Sequence, residues 1–173
     1  MSGIKTEHYL RGAIGVLLVA LVFVIYDSMT EKVVGVGDTA PSFSIATDDG
    51  RTVSAANFGG KLLVLNFWAT WCPPCVQEMP SLDQFQKTLA PNGVVVLGIS
   101  VDKNEQLYRS FLAKARVSFL TARDPDAKIN ADYGTFKYPE TYIIDANGKV
   151  LRKYIGPEDW TNDRMLNDVR SLL

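Results

Sequence analysis

Cys72 and Cys75 are the only two cysteines in a chain of 173 residues. They follow an apolar run, Leu62 to Phe67, and open a long helical pattern. Two thiols at this spacing on the first turn of a helix can close a disulfide and open it again. The first sulfur would sit beside the unpaired N–H groups and the positive dipole end of the helix, which stabilise a thiolate. A thiolate, unlike a thiol, is a nucleophile toward a second disulfide. The chemistry predicted is thiol–disulfide exchange.

Other chemistries lack their parts. Two cysteines are too few for a disulfide scaffold. The single histidine, His8, is far from the cysteines in sequence and reads as a solvated N-terminal residue, which weakens Cys/His metal and Cys–His protease readings. A zinc site takes about four ligands, and one Cys-x-x-Cys pair has no partner pair. Zinc shared between two copies, or copper held by Cys72 and Cys75, is the remaining metal-binding alternative. With a formal net charge of −1, no basic field argues for nucleic acid. Gly35 to Ala40 fits a dinucleotide pattern on paper, but Pro41 and an extended stretch follow it instead of a helix.

The elements that must hold the cysteines follow from pattern. Leu62 to Phe67 and Val94 to Val101 read as strands buried on both faces. Met79, Leu82, Phe85 and Leu89 give the helix after Cys72 an apolar core stripe, and Pro80, having no N–H, is expected to kink it. Leu107 to Ala115 reads as a second helix. A short strand at Phe119 to Thr121 precedes a helix expected to start near Asp124-Pro125. Asp48-Asp49-Gly50 and Asp145-Ala146-Asn147-Gly148 are turn signals between short strands, predicting hairpins at Ser42–Ser54 and Thr141–Ile155. Trp160 to Leu173 reads as a closing amphipathic helix. Alternating strands and helices, then a hairpin and a helix, describe an α/β sandwich around a mixed sheet.

The N-terminus carries a different signal. Gly12 to Tyr26 holds no charge and follows Lys5 and Arg11. With Tyr9, Leu10 and snorkelling of Arg11, it is expected to form an uncleaved membrane anchor. A cleaved signal peptide and a core helix are the alternatives; Ser28-Met29-Thr30 is a poor cleavage site. The domains expected are a cytoplasmic N-terminus at 1–11, an anchor at 12–28, a tether at 29–40 and a folded domain at 41–173. The positive-inside bias puts the N-terminus in the cytoplasm and exports the rest to the periplasm or outer face.

Phe67-Trp68-Ala69-Thr70-Trp71-Cys72-Pro73-Pro74-Cys75 resembles the active-site motif of the membrane-anchored TlpA/ResA/DsbE (CcmG) branch of the thioredoxin superfamily. Tyr133-Gly134 followed by Pro139-Glu140-Thr141 resembles the branch's second motif, and the likeness runs from Gly37 to Leu173. It implies a thioredoxin-like three-layer sandwich with a mixed central sheet, an N-terminal β-hairpin extension and a βα insertion. Cys72 would be the attacking thiol and Cys75 the buried resolving thiol. Pro139 matches the family's cis-proline, which would expose the Tyr138 backbone to substrate. Asn66 stands where thioredoxin carries a buried aspartate, and Glu78 matches a glutamate near the cysteines of ResA-like proteins. A partly buried Glu78 could take the proton of Cys75.

Trp71, Pro73, Pro74, Tyr138 and Pro139 are the expected substrate-binding residues, and Tyr138 is bulkier than the family's usual residue there. Trp68 and Trp71 are read either as shields of the disulfide or as packing residues. The resemblance implies a reductase of exported protein disulfides, such as those of apocytochrome c, recharged by a membrane electron relay of the DsbD/CcdA type. No cofactor beyond the redox-active disulfide is implied. The alternative enzyme, a peroxiredoxin-like peroxidase, wants threonine three residues before its cysteine, where this chain has Ala69.

Overall fold

The computed structural model describes residues 2–29 and 33–173. The chain divides into two compact units, with the boundary between Lys32 and Val33. The first contains one helix, α1 (Ser2–Met29), along which Val16, Leu17, Val19, Val22 and Phe23 are exposed. Among the described residues no helix is long and apolar enough to cross a membrane. Residues 30–32 of the expected tether lie outside the described residues, as do the side chains of residues 26–28, where the expected anchor ends.

The second unit is built on β3 (Leu62–Trp68). Its side chains alternate between two cores. Leu62, Val64 and Trp68 enter one, with Leu82, Phe85, Trp160 and Val169. Leu63, Leu65 and Phe67 enter the other, with Tyr133, Tyr142 and Val53. A strand apolar on both faces has to be central, and β3 is.

It pairs in parallel with β4 (Val94–Ser100) and antiparallel with β6 (Glu140–Asp145). β5 (Leu120–Arg123) and β7 (Val150–Ile155) form the edges, giving the order β5-β4-β3-β6-β7. The helices α2 (Pro73–Leu89), α3 (Glu105–Ala115), α4 (Lys128–Asp132) and α5 (Asp163–Arg170) complete the layers. A separate hairpin, β1 (Ser44–Ala46) with β2 (Thr52–Ser54), precedes them. Gly98 on β4 permits the packing of Trp68: a Cβ there would lie 3.0 Å from Phe119 and 3.1 Å from Trp68 Nε1.

Three boundaries differ from expectation. Residues 34–40 are not a free tether. Val34 is buried, and the N–H groups of Val34, Gly37 and Ala40 donate to carbonyls of Tyr133, Val150 and Gly148. The apolar Val34 and those backbone bonds lay this segment along the β6–β7 hairpin.

α4 starts at Lys128 rather than near Asp124, because residues 124–127 form a turn closed from Ala127 N–H to the Asp124 carbonyl. Asp124 still serves as a cap, its Oδ2 accepting from Ile129 N–H at 2.8 Å. α5 spans only Asp163–Arg170, since the Asn162 side chain accepts from Arg164 N–H and starts the helix there. Trp160 therefore belongs to a loop. Pro80 lies inside α2, which continues through it.

Candidate active site

The site begins where β3 runs out. The turn Ala69–Cys72 is closed by Cys72 N–H donating to the Ala69 carbonyl at 3.2 Å. Asp102, buried just beyond β4, fixes its middle: its carboxylate accepts from Thr70 N–H at 2.8 Å, Thr70 Oγ1 at 2.7 Å and Ser100 Oγ at 2.6 Å. Pro73 and Pro74 then open α2. Proline suits a first helical turn because N–H groups there lack intrahelical partners and its φ is already helical.

Cys72 is the N-cap of α2, and its Sγ accepts from Cys75 N–H at 3.3 Å. The two cysteines form a disulfide with Cα atoms 5.3 Å apart. Their exposures differ in the useful direction: Cys72 is 6% exposed and Cys75 0%. An incoming sulfur can reach the first, whereas the second faces the interior.

Glu78, one turn further along α2, is only 4% exposed. Its Oε1 accepts from Asn66 Nδ2 at 2.9 Å, and its Oε2 from Glu158 N–H at 3.1 Å and Trp160 Nε1–H at 3.4 Å. Desolvation is the largest influence and pushes the carboxyl up to about 7; the hydrogen bonds from Glu158, Asn66 and Trp160 pull it down. A carboxyl in this state can accept a proton or give one near neutral pH. Asn66, itself no proton acceptor, is thus the residue that orients one. Its Nδ2 also donates to Thr141 Oγ1 at 2.9 Å, joining α2 and β3 to the start of β6.

The Tyr138–Pro139 peptide bond, just before β6, is cis. The Tyr138 ring meets Trp71 edge-on, with centroids 5.8 Å apart, and its hydroxyl donates to Asn130 Oδ1 at 2.9 Å. Trp71 is 62% exposed, so this aromatic pair presents apolar surface beside the cysteine turn. Trp68 is fully buried between Tyr108 and Phe111 and is a packing residue.

A second polar cluster went unread in the sequence. Glu140, fully buried next to Pro139, pairs through Oε1 with Lys153 Nζ at 2.8 Å and accepts from the Tyr142 hydroxyl. Lys153 also donates to the Val34 carbonyl at 2.9 Å and lies 4.9 Å from the Tyr142 ring centroid. The available signal was a glutamate inside a buried strand with a lysine on the neighbouring strand of the hairpin. Among the described residues, no group of three or more His, Cys, Asp or Glu could hold a metal ion.

Fold and site together define a thioredoxin-like oxidoreductase. The chain belongs to the Redoxin family, whose model matches residues 35–173. It is 39% identical over 150 residues to the thioredoxin-like protein YneN of Bacillus subtilis, covering 82% of this chain and 88% of that one. The thiol-disulfide oxidoreductase ResA of Bacillus cereus is 31% identical over 149 residues, covering 86% and 83%. Among solved structures, a protein from Chlorobium tepidum described as a thiol:disulfide interchange protein DsbE superposes with a TM-score of 0.73 at 30% identity, covering 80% of this chain and 97% of that one.

Proposed function

We propose that this chain reduces disulfides in exported proteins, working from the outer face of the cytoplasmic membrane. The observation that carries the exchange chemistry is the asymmetry of the pair: Cys72 caps α2 and keeps 6% exposure, whereas Cys75 is fully buried with Glu78 one turn behind it. The Cys72 thiolate attacks one sulfur of the substrate disulfide. A mixed disulfide forms and one substrate thiolate leaves. Cys75 then attacks Cys72 Sγ, releasing the second substrate thiolate and closing Cys72–Cys75; two electrons pass to the substrate. Glu78 accepts the proton that Cys75 must lose before its attack. Trp71 and Tyr138 offer the apolar surface on which a polypeptide substrate docks.

Location rests on sequence. Lys5 and Arg11 before the uncharged run, with Asp27, Glu31 and a single Lys32 after it, favour an N-terminal anchor and an exported second unit. Apocytochrome c or other envelope proteins are the substrates in this reading, and a membrane relay of the DsbD/CcdA type restores the dithiol. Such a relay is required because an oxidising compartment would otherwise leave the pair closed.

The deciding experiment is the reduction potential of Cys72–Cys75 in detergent-solubilised full chain. A value near about −270 mV, as in thioredoxin, supports a reductase; one near about −120 mV, as in a strong disulfide donor, reverses the direction of electron flow.

A further inference from the structure

Glu78 is held from three sides by groups the exchange chemistry does not consume. Asn66 comes from β3, and the Glu158 N–H and Trp160 indole come from the loop between β7 and α5, about 80 residues further along the chain. That loop is itself fastened over α2, with Trp160 N–H donating to Ser81 Oγ at 3.3 Å and the indole packed edge-on against Phe85 and Tyr154. Trp160 is fully buried, so it both excludes water from Glu78 and supplies a donor to it.

We propose that Asn66 and Trp160 are positioning residues that set the proton affinity of Glu78 and thereby the pH at which Cys75 is released for attack. This deepens the assignment of Glu78 as proton acceptor and rests on it. The direction follows from the donors. Each N–H aimed at a carboxylate oxygen favours the ionised form, so removing either donor while the site stays dry makes the proton harder to lose. Other charge near Glu78 acts the same way: Glu158, on the loop, raises its affinity for a proton. The neighbouring cysteines are uncharged while bonded to each other. Asn66 and Thr141 are neutral, and Tyr154 reaches Trp160 through its ring while its hydroxyl donates to Asp168.

The test follows the Glu78 carboxyl directly by carbon-13 NMR in oxidised full chain, its resonance identified by loss in Glu78→Gln. Trp160→Phe keeps an aromatic ring against Phe85 and Tyr154 and removes the donor together with the second ring, whereas benzothienylalanine at 160 removes the donor alone; Asn66→Leu removes the other donor at similar volume. The expected result is a titration midpoint that rises in each variant, with about a tenfold tighter hold on the proton. If Trp160→Phe does not fold, replacing Trp160 with benzothienylalanine, which keeps the two-ring shape and lacks the N–H, makes the same measurement. A folded variant whose Glu78 midpoint does not move overturns the assignment for the residue replaced.

The pH–rate profile of disulfide exchange separates the two layers. If the Glu78 midpoint moves but Glu78→Gln leaves the profile unchanged, the tuning of the carboxyl stands while its role in exchange fails. If Glu78→Gln removes an ionisation from the profile and the positioning variants do not shift it, the positioning role in exchange fails and the acceptor role stands.

Discussion

The backbone N–H of Cys75 points at Sγ of Cys72, 3.3 Å away, so the first turn of α2 directs a donor at the outer sulfur of the pair. On reduction, an N–H held there and the positive end of the helix dipole both favour a negative charge on that sulfur. Iodoacetamide should therefore modify Cys72 far ahead of the fully buried Cys75. Peptide mapping after brief alkylation of the reduced protein checks this. Preferential labelling of Cys75 would reverse the assigned roles.

Glu78 makes stability depend on pH with a definite sign. Its carboxyl rises from 4.5 to about 7 in the folded chain, so the native state holds the proton more tightly than the unfolded state does. Its contribution is fully present below the unfolded value and is lost as pH rises through the folded value. Between pH 4.5 and about 7 the chain should lose up to ~3 kcal/mol of stability from this group. Urea unfolding across that range should show the decline in wild type and its loss in Glu78→Gln.

The two tryptophans before Cys72 should separate cleanly. Trp68→Ala empties a fully buried site beside Tyr108 and Phe111 and should cost about 3–5 kcal/mol in denaturant unfolding. Trp71→Ala removes an exposed ring and should change stability by about 0.5 kcal/mol or less. Its effect should appear instead as a raised KM for a protein disulfide, with a smaller change for a small-molecule disulfide.

Lys153→Met strands the buried Glu140 carboxylate and should destabilise the chain by about 3–5 kcal/mol. Adding Glu140→Gln should recover most of that loss, because the larger part is the cost of an unpaired buried charge. Thermal melts of the two single variants and the double variant measure the coupling.

The residue sequence by itself determined the chemistry and the order of the elements. The exchange pair is local: Cys72 and Cys75 lie on one helical turn, and the prolines between them announce that turn. β3 is legible because a strand apolar at every position but one must be buried on both faces. The hairpins are legible from Asp-Gly and Asn-Gly turns, which impose their own geometry.

What only the tertiary structure decided involves partners distant along the chain. Nothing near Glu78 in sequence shows that Asn66, Glu158 and Trp160 converge on its carboxylate, because their convergence depends on how β3 and the loop after β7 pack over α2. The sequence pattern places Trp160 at the start of the last helix, whereas the Asn162 cap starts that helix at Asp163. The burial of Glu140 against Lys153 comes from the pairing of β6 with β7, and Val34 is held by its N–H on the Tyr133 carbonyl and by Lys153 on its own carbonyl. A charge or a tether residue is kept in the interior only when a distant partner satisfies it, and such partners are chosen by the fold.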